Sequence, residues 1–384
     1  MRILHTSDWH VGRTFHGQDL LADQESVLGA IADLVDTERV DLVLVAGDLY
    51  DRAVPSAEAV GVCTRALARI RAAGAEIVIT SGNHDSAPRM GAFAEFAAAG
   101  GLHLRTRIAG LHSPVLLPDA HGPVAVYGIP YLEPEPARHL LNVPQARGHT
   151  GVLTEAMDRI RADLAARNAT RSVVMAHAFV TGGEASESER KIAVGGVEQV
   201  PGSVFDGVDY VALGHLHGPQ TLSERLRYSG SPLAYSFSEA AQRKSVWLVE
   251  LDAVGLAGAE RRELPVPRRL ATISGGLEDV LAEPAHEALV ERYLSVRLTD
   301  PVRPLEPMRR LRERFPYAVH LDWQPDGGRD GSGFRYADAV RGRDDIEIAV
   351  EFITKLRGCE PTMSERTLLA GALEAVTSAE TEVG

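Results

Sequence analysis

Aspartates, histidines and one asparagine recur at the ends of short apolar runs in this 384-residue chain. Asp8-Trp9-His10 follows the first run, Gly47-Asp48-Leu49-Tyr50-Asp51 the second and Gly82-Asn83-His84-Asp85 the third. His177 closes a later run, and Gly214-His215-Leu216-His217 another. Mixed imidazole and carboxylate donors suit Mn, Fe or Zn better than a purely oxygen-seeking Ca or Mg site. Alternate residues of an extended strand share a face, so Asp8 with His10, and His215 with His217, are expected to bind in pairs. The candidate ligands are Asp8, His10, Asp48, Asn83, His177, His215 and His217. That is too many for one tetrahedral ion and fits two ions about 3.5–4 Å apart. Taken singly, each motif is ordinary turn or cap chemistry. The signal is the ordered series, each piece set after an expected strand.

Those strands are expected at Arg2–Leu4, Leu42–Ala46, Ile77–Thr80, Val124–Tyr127, Val173–Ala176 and Tyr210–Leu213, all short and apolar. Helical patterns such as Ser56–Ala73 and Thr154–Arg167 lie between them. This alternation predicts a layered α/β fold, in which the carboxyl ends of the strands form the ligand crevice. Leu226–Tyr228 and Val246–Leu251 should close a sheet edge or a second sheet. Pro265-Val266-Pro267 reads as a linker. A smaller unit follows, with strands at Leu270–Ile273, Leu294–Leu298 and Val319–Trp323 and helices near Leu277–Leu281 and Leu305–Arg314. The expected division is a main domain over 1–264, a small α/β cap over 268–324, a Gly-rich linker over 325–343 and a helical tail over 344–384.

Composition narrows the function. With 45% hydrophobic and 24% charged residues the chain is globular. A net charge of -13 excludes binding nucleic acid by overall positive charge, though residues 303–314 carry a local net +3. That patch reads equally well as a solvated helix face or a DNA-contacting cap. Lysine occurs only at 191, 244 and 355, and none follows a glycine, so a Walker A loop cannot occur. Any dependence on ATP must come from a partner. Cys63 and Cys359 are too few and too far apart for a thiolate zinc site. No run approaches the ~18–20 apolar residues of a membrane span, and a soluble, cytosolic protein is expected.

The ordered series resembles that of the calcineurin-like metallophosphoesterases. The opening His5-Thr6-Ser7-Asp8-Trp9-His10-Val11-Gly12-Arg13-Thr14, and Tyr228-Ser229-Gly230-Ser231-Pro232-Leu233, resemble more narrowly the bacterial SbcD family of nucleases. The resemblance implies a metallophosphoesterase β-sandwich flanked by helices, with a capping domain and a helical tail. It implies two Mn²⁺ ions, one on Asp8, His10, Asp48 and His217, the other on Asp48, Asn83, His177 and His215, bridged by Asp48. His84 would face the scissile phosphate, with Asp85 orienting its ring and Asp51 supporting the ligands. Arg13 and His16 are candidate DNA contacts. The implied activity is double-strand 3′–5′ exonuclease and single-strand or hairpin endonuclease, in a DNA end-processing complex. The implied partners are DNA, a second copy of the chain through helices bearing Val60, Cys63, Leu67, Ile70, Met90, Phe93 and Phe96, and an SbcC-like ABC-type ATPase held by the tail, where Ile346, Val350 and Ile353 recur at helical spacing. Two other readings compete: a phosphoesterase for a small phosphate ester or nucleotide, and a DNA-end tether with an inert site.

Overall fold

Runs of Val, Ile and Leu make buried strands here, and polar residues appear where those strands end. The computed structural model describes residues 1–167, 171–189, 199–325, 343–357 and 359–383. They fall into two units, Met1–Arg269 and Leu270–Gly384. The first runs β1 (Arg2–Thr6), a small hairpin of β2 (Thr14–Phe15) and β3 (Gln18–Asp19), α1 (Leu21–Thr37), β4 (Leu42–Ala46), α2 (Ala57–Ala72) and β5 (Glu76–Thr80). It continues through α3 (Ala87–Met90), α4 (Ala94–Ala99), β6 (Leu102–Arg105), β7 (Val115–Asp119), β8 (Gly122–Gly128), α5 (Pro134–Leu140), α6 (Gly148–Ala166) and β9 (Arg171–His177). It closes with β10 (Tyr210–Gly214), β11 (Gln220–Thr221), β12 (Leu226–Tyr228), β13 (Ser245–Leu251) and β14 (Leu256–Glu263).

Two six-stranded sheets result, ordered β14-β13-β1-β4-β5-β6 and β11-β12-β10-β9-β8-β7. The central neighbours β1, β4, β5 and β6 pair in parallel, as do β8, β9, β10 and β12. Between the sheets lies a core of Ile3, Leu42, Leu44, Val78, Val126, Val173, Met175 and Ala212. The alternate residues Leu4, Val43, Val45, Ile77 and Ile79 are buried as well, so these strands are covered on both faces, as parallel strands need. Tyr127, Val174 and Val211 pack outward with Val152, Met157 and Ile160 of α6. Each such side chain contributes about 1.5–3 kcal/mol relative to exposure. His5 joins the sheets: its Nδ1 accepts from the Tyr210 hydroxyl at 2.9 Å and its Nε2–H donates to the Leu213 carbonyl at 3.1 Å. Burial drives its pKa down to about 3, which keeps this core ring neutral.

The expected strands all form, while α1 is absent from the expectations and α6 begins six residues before the expected Thr154. Neither helix has a side-chain N-cap, the residues there being Leu20 and Arg147, so the usual start signal is missing.

The second unit is a parallel sheet of β15 (Leu270–Gly275), β16 (Tyr293–Leu298) and β17 (Ala318–Trp323), with α7 (Leu277–Ala282) and α8 (Pro307–Arg314). Val280, Leu294, Val296, Leu298, Leu311 and Phe315 form its core. Helix α8 starts at Pro307 rather than Leu305, since proline is favoured in a first turn that needs no N–H from it. Two tail helices, α9 (Asp345–Arg357) and α10 (Met363–Val383), complete the unit. The expected Gly-rich linker lies, over 326–342, outside the described residues. Among the described residues no helix is long and apolar enough to cross a membrane.

Candidate metal centre

The parallel strands deliver the polar residues to one place. Asp8 and His10 follow β1, Asp48 follows β4, Asn83 and His84 follow β5, His177 ends β9, and His215 and His217 follow β10. Close approach of the two sheets at this point depends on glycine. A Cβ at Gly214 would overlap the Ala46 carbonyl, and one at Gly47, whose φ is +85°, would strike the His177 ring. Backbone strain collects here too. Asp8, His10 and Asp48 sit in the left-handed region with φ of 52°, 44° and 49°, which costs about 1–3 kcal/mol each and is characteristic of functional sites. The expectation that strand alternation pairs Asp8 with His10 therefore needs correcting. They meet because the chain turns sharply after β1. Likewise the His215 ring lies 5.4 Å from that of His177, whereas the His217 ring lies 5.0 Å from that of His10.

Asp48 stands at the centre, almost wholly buried. Its Oδ1 accepts the His84 backbone N–H at 2.8 Å. Its Oδ2 lies 3.6 Å from His10 Nε2 on one side and 3.4 Å from His177 Nε2 on the other. Asn83 Oδ1 is 2.9 Å from the same His177 nitrogen. Asp8 is fully buried, accepting from the Ser7 hydroxyl and the His215 N–H at 2.5 and 3.0 Å. Three overlapping groups of donor atoms could each hold an ion: Asp8, His10 and His217; Asp8, Asp48 and His177; and His10, Asp48 and His84.

Two outer ring nitrogens, those of His177 and His217, are tied down, which aims the inner ones. His177 Nδ1 donates to the Ala46 carbonyl at 3.1 Å, and His217 Nδ1 lies 2.5 Å from Ser188 Oγ. His10 and His217 bring their Nε2 atoms within 3.1 Å of one another, and His10 Nδ1 is buried without a hydrogen-bond partner. Electrostatics agree that the pocket calls for positive charge. Burial raises Asp8 to about 6, against the pull of His177 and His217. Burial also pushes Asp48 up, yet His177, His10 and His84 outweigh it and hold Asp48 well below the usual carboxylate range. Burial lowers His177, but Asp48 and then Asp8 lift it to about 9. Burial and the charge of His177 take His215 down to about 3. Carboxylates and imidazoles converging in this way suit divalent ions of the Mn, Fe and Zn kind.

Two expectations about supporting residues change. His84 Nδ1 donates to the Asp51 carbonyl at 2.9 Å. Asp85 instead accepts three backbone N–H groups, from Leu49, Tyr50 and Gly82, at 3.1, 3.0 and 2.9 Å. It shapes the loops rather than the ring, because its carboxylate is spent on them. Burial and the charge of Asp48 still raise it to about 7. The Asp51 carboxylate lies 3.8 Å from both His10 Nδ1 and Arg13 Nε. Arg13 is engaged within the protein, with Nη2 donating to the Ser188 carbonyl at 2.9 Å and the guanidinium 4.9 Å from the Tyr235 ring centre. His16 is exposed at the tip of the β2–β3 hairpin, packed against Phe15 and Phe237.

Sequence reasoning missed Gln24, Ser188, Glu189, Glu239 and Lys244. Gln24 is buried and grips the loop after β1, donating to the His10 carbonyl and accepting from Gly12 N–H at 2.8 and 2.9 Å. Glu189 accepts the His217 N–H at 2.8 Å. A glutamine on the apolar face of α1 is a sequence signal for such a role; the others lie in loops without one.

Residues 1–219 match the calcineurin-like phosphoesterase family. The chain belongs to the calcineurin-like phosphoesterases. It is therefore a metal-dependent phosphoester hydrolase by family, and its fold has the expected layers. Residues 266–355 match a second family, SbcD_C, described as the type 5 capsule protein repressor C-terminal domain. A calcineurin-like phosphoesterase domain followed by SbcD_C fits an SbcD-type chain, as the opening motif suggests. Solved structures similar to this calcineurin-like phosphoesterase include TT1561 of Thermus thermophilus, at 15% identity and a TM-score of 0.40, covering 68% of this chain and 98% of that one. A dimetal phosphatase from Danio rerio matches at 14% identity and 0.41, covering 69% and 99%. GAP50, the anchor in the inner membrane complex of Plasmodium, matches at 9% and 0.38, covering 86% and 99%.

Proposed function

We propose that this phosphoesterase is the Mn²⁺-dependent DNA nuclease subunit of an SbcCD-type end-processing complex, acting as a double-strand exonuclease and a single-strand or hairpin endonuclease. The observation that carries the hydrolytic part is the position of Asp48 Oδ2, 3.6 Å from His10 and 3.4 Å from His177. A carboxylate so placed serves as a bridge between Asp8, His10 and His217 on one side and Asn83, His177 and His215 on the other. Divalent ions held by these residues would supply charge to the phosphoryl oxygens and acidify a water for in-line attack on phosphorus. His84 is the candidate group for the leaving oxygen. With Nδ1–H committed to the Asp51 carbonyl, it donates from Nε2 only as an imidazolium.

The DNA substrate and the ATPase partner rest on the SbcD_C match. Exposed Phe93 and Phe96, 77% and 84% accessible, support pairing with a second copy. Tail exposure of Phe352 and Leu368 supports a partner helix. The second reading, hydrolysis of a small phosphate ester or nucleotide, draws support from α8, whose arginines are largely engaged within their own unit. Incubating the purified chain with Mn²⁺ and end-labelled linear duplex, beside a small phosphodiester such as bis-p-nitrophenyl phosphate, separates the two. Metal-dependent shortening of the duplex that disappears in His217→Gln is the expected result. Turnover of the small ester with intact DNA, with and without the ATPase, favours the second reading.

A further inference from the structure

Behind His217 lies a buried ion pair that hydrolysis does not obviously need. Glu239 is fully buried and Lys244 is 3% exposed. Lys244 Nζ approaches Glu239 Oε2 at 2.5 Å, the His217 carbonyl at 2.9 Å, Gln242 Oε1 at 2.9 Å and Ser231 Oγ at 3.1 Å. Ser231 gives its own proton to the Leu233 carbonyl, so every neighbour of the ammonium is an acceptor. The other carboxylate oxygen, Glu239 Oε1, accepts the Ser188 hydroxyl. That hydroxyl oxygen in turn lies 2.5 Å from His217 Nδ1. One hydroxyl, that of Ser188, thus connects the imidazole to a charge pair, and burying such a pair carries a large desolvation cost.

Proton placement along this chain has one consistent solution. A carboxylate paired with an ammonium can only accept. Ser186 Oγ lies 3.0 Å from Ser188 Oγ and 3.1 Å from Glu239 Oε1, but its shortest contact, at 2.7 Å, is to Glu189 Oε2. The single Ser188 hydroxyl proton goes to its own closest acceptor, Glu239, and Ser188 Oγ then accepts from His217. His217 must then carry its proton on Nδ1 and present a lone pair at Nε2, the nitrogen 3.1 Å from His10 Nε2. The opposite tautomer would set a carboxylate oxygen against a hydroxyl oxygen with no hydrogen between them.

We infer that Glu239, acting through Ser188 and held ionised by Lys244, is a positioning residue that fixes the metal-binding tautomer and orientation of His217. This inference rests on the reading of His217 as a ligand. His177 obtains the same result from a backbone carbonyl, Ala46. The His217 side therefore depends on side chains that can be exchanged, and the His177 side does not. Partners of this kind are worth about 10–100-fold in metal affinity.

The test uses the full-length protein, Mn²⁺ calorimetry and long-range ¹H–¹⁵N spectra of the histidine rings, in wild type, His217→Gln, Ser188→Ala, Ser188→Thr, Glu239→Gln and Glu239→Gln with Lys244→Met. Ser188→Ala leaves the ion pair whole, and the double variant removes both charges together, so neither depends on a stranded ammonium. Wild-type His217 should show the Nδ1–H tautomer. Ser188→Ala and the double variant should mix the tautomers and weaken Mn²⁺ at one of two steps by about 10–100-fold, with Ser188→Thr restoring both. If His217→Gln loses an ion while Ser188→Ala and the double variant keep wild-type affinity and tautomer, the inference is overturned. If His217→Gln itself keeps both ions, the ligand reading fails instead.

Discussion

As sequence, the strand-end pocket of the first unit and the arginine-rich helix α8 are alike, each a cluster of ionisable residues, and they behave oppositely. In the pocket, Asp8, His10, Asp48, His177, His215 and His217 are all at least nine-tenths buried. The outer nitrogens of His177 and His217 are anchored by protein, and the inner atoms of the pocket face one another. On α8, Arg309 binds Glu306 and Glu313, Arg310 binds Glu278, Arg312 donates to the Ala318 carbonyl and Arg314 to the carbonyls of Leu281 and Glu283. The net +3 of that stretch is largely answered by acceptors within its own unit. A charge count gives no information on whether charges point at each other or at a ligand. Burial with donors converging on one point does.

The largest effect separating the two regions is expected at Asp48. Asp48→Asn keeps the shape but removes the charge that His10 and His177 share. Losing it should forfeit several kcal/mol of charge stabilisation, about a thousandfold in rate at 1.36 kcal/mol per tenfold, and weaken both ions in calorimetry. A variant that kept two ions and wild-type cleavage would remove the bridge. Next in size is His84→Gln. Its ring touches the pocket edge-on to His10, with centroids 4.6 Å apart, yet its Nδ1 is held by the Asp51 carbonyl. Loss of a proton donor is typically worth about 10²–10⁴ in rate, with both ions retained. An ion lost together with activity would make His84 a ligand, as its grouping with His10 and Asp48 allows.

How much of this was legible from the sequence differs by link. The strands were, because short, β-branched apolar runs such as Leu42–Ala46, bounded by turn residues, favour a buried strand over a helix, and the pocket residues were, because each comes at or just after the end of one. What turned out differently was local geometry. Asp8 and His10 meet through left-handed backbone, which no periodicity encodes. Asp85 could not be told from a ring partner, because its three amide donors come from Leu49, Tyr50 and Gly82 across two loops. Ser188, Glu239 and Lys244 escaped because they reach His217 from two loops, the one between β9 and β10 and the one between β12 and β13. The scarcity of lysine is the one hint the sequence carries: of just three, Lys244 is buried beside the site.

A smaller effect concerns protons. In the protein alone His177 holds a proton up to about pH 9, because burial is outweighed by Asp48 and Asp8. Its charged form is favoured, and a ligand imidazole must be neutral. Mn²⁺ uptake at pH 7 should therefore release about one proton from this ring, beyond those of other ligands, and the release should fade as pH passes about 9. Calorimetry in buffers of different ionisation enthalpy measures it. In His177→Gln the released proton should vanish together with one ion; release that persists unchanged would assign the proton elsewhere.

The smallest expected effect lies on α8, and it bears most directly on the comparison. Arg309 is 61% exposed, and its carboxylate partners Glu306 and Glu313 are 66% and 65% exposed. Water screens such pairs, and they contribute about 0–1 kcal/mol. Arg309→Ala should therefore shift the melting temperature only slightly. If the guanidinium is committed to its own helix, DNA affinity should stay within about twofold and its salt slope unchanged, since removing one phosphate partner lowers that slope by about one. Glu306→Gln with Glu313→Gln is the reverse experiment, releasing Arg309 from both partners and making the patch more positive. Tighter, more salt-sensitive DNA binding in that variant, with little change in Arg309→Ala, would mean that the acids of α8 hold its arginines away from phosphate. A tenfold loss in Arg309→Ala would instead mean that this arginine exchanges its glutamates for the backbone of DNA, and the contrast between the two regions would narrow to one of burial alone.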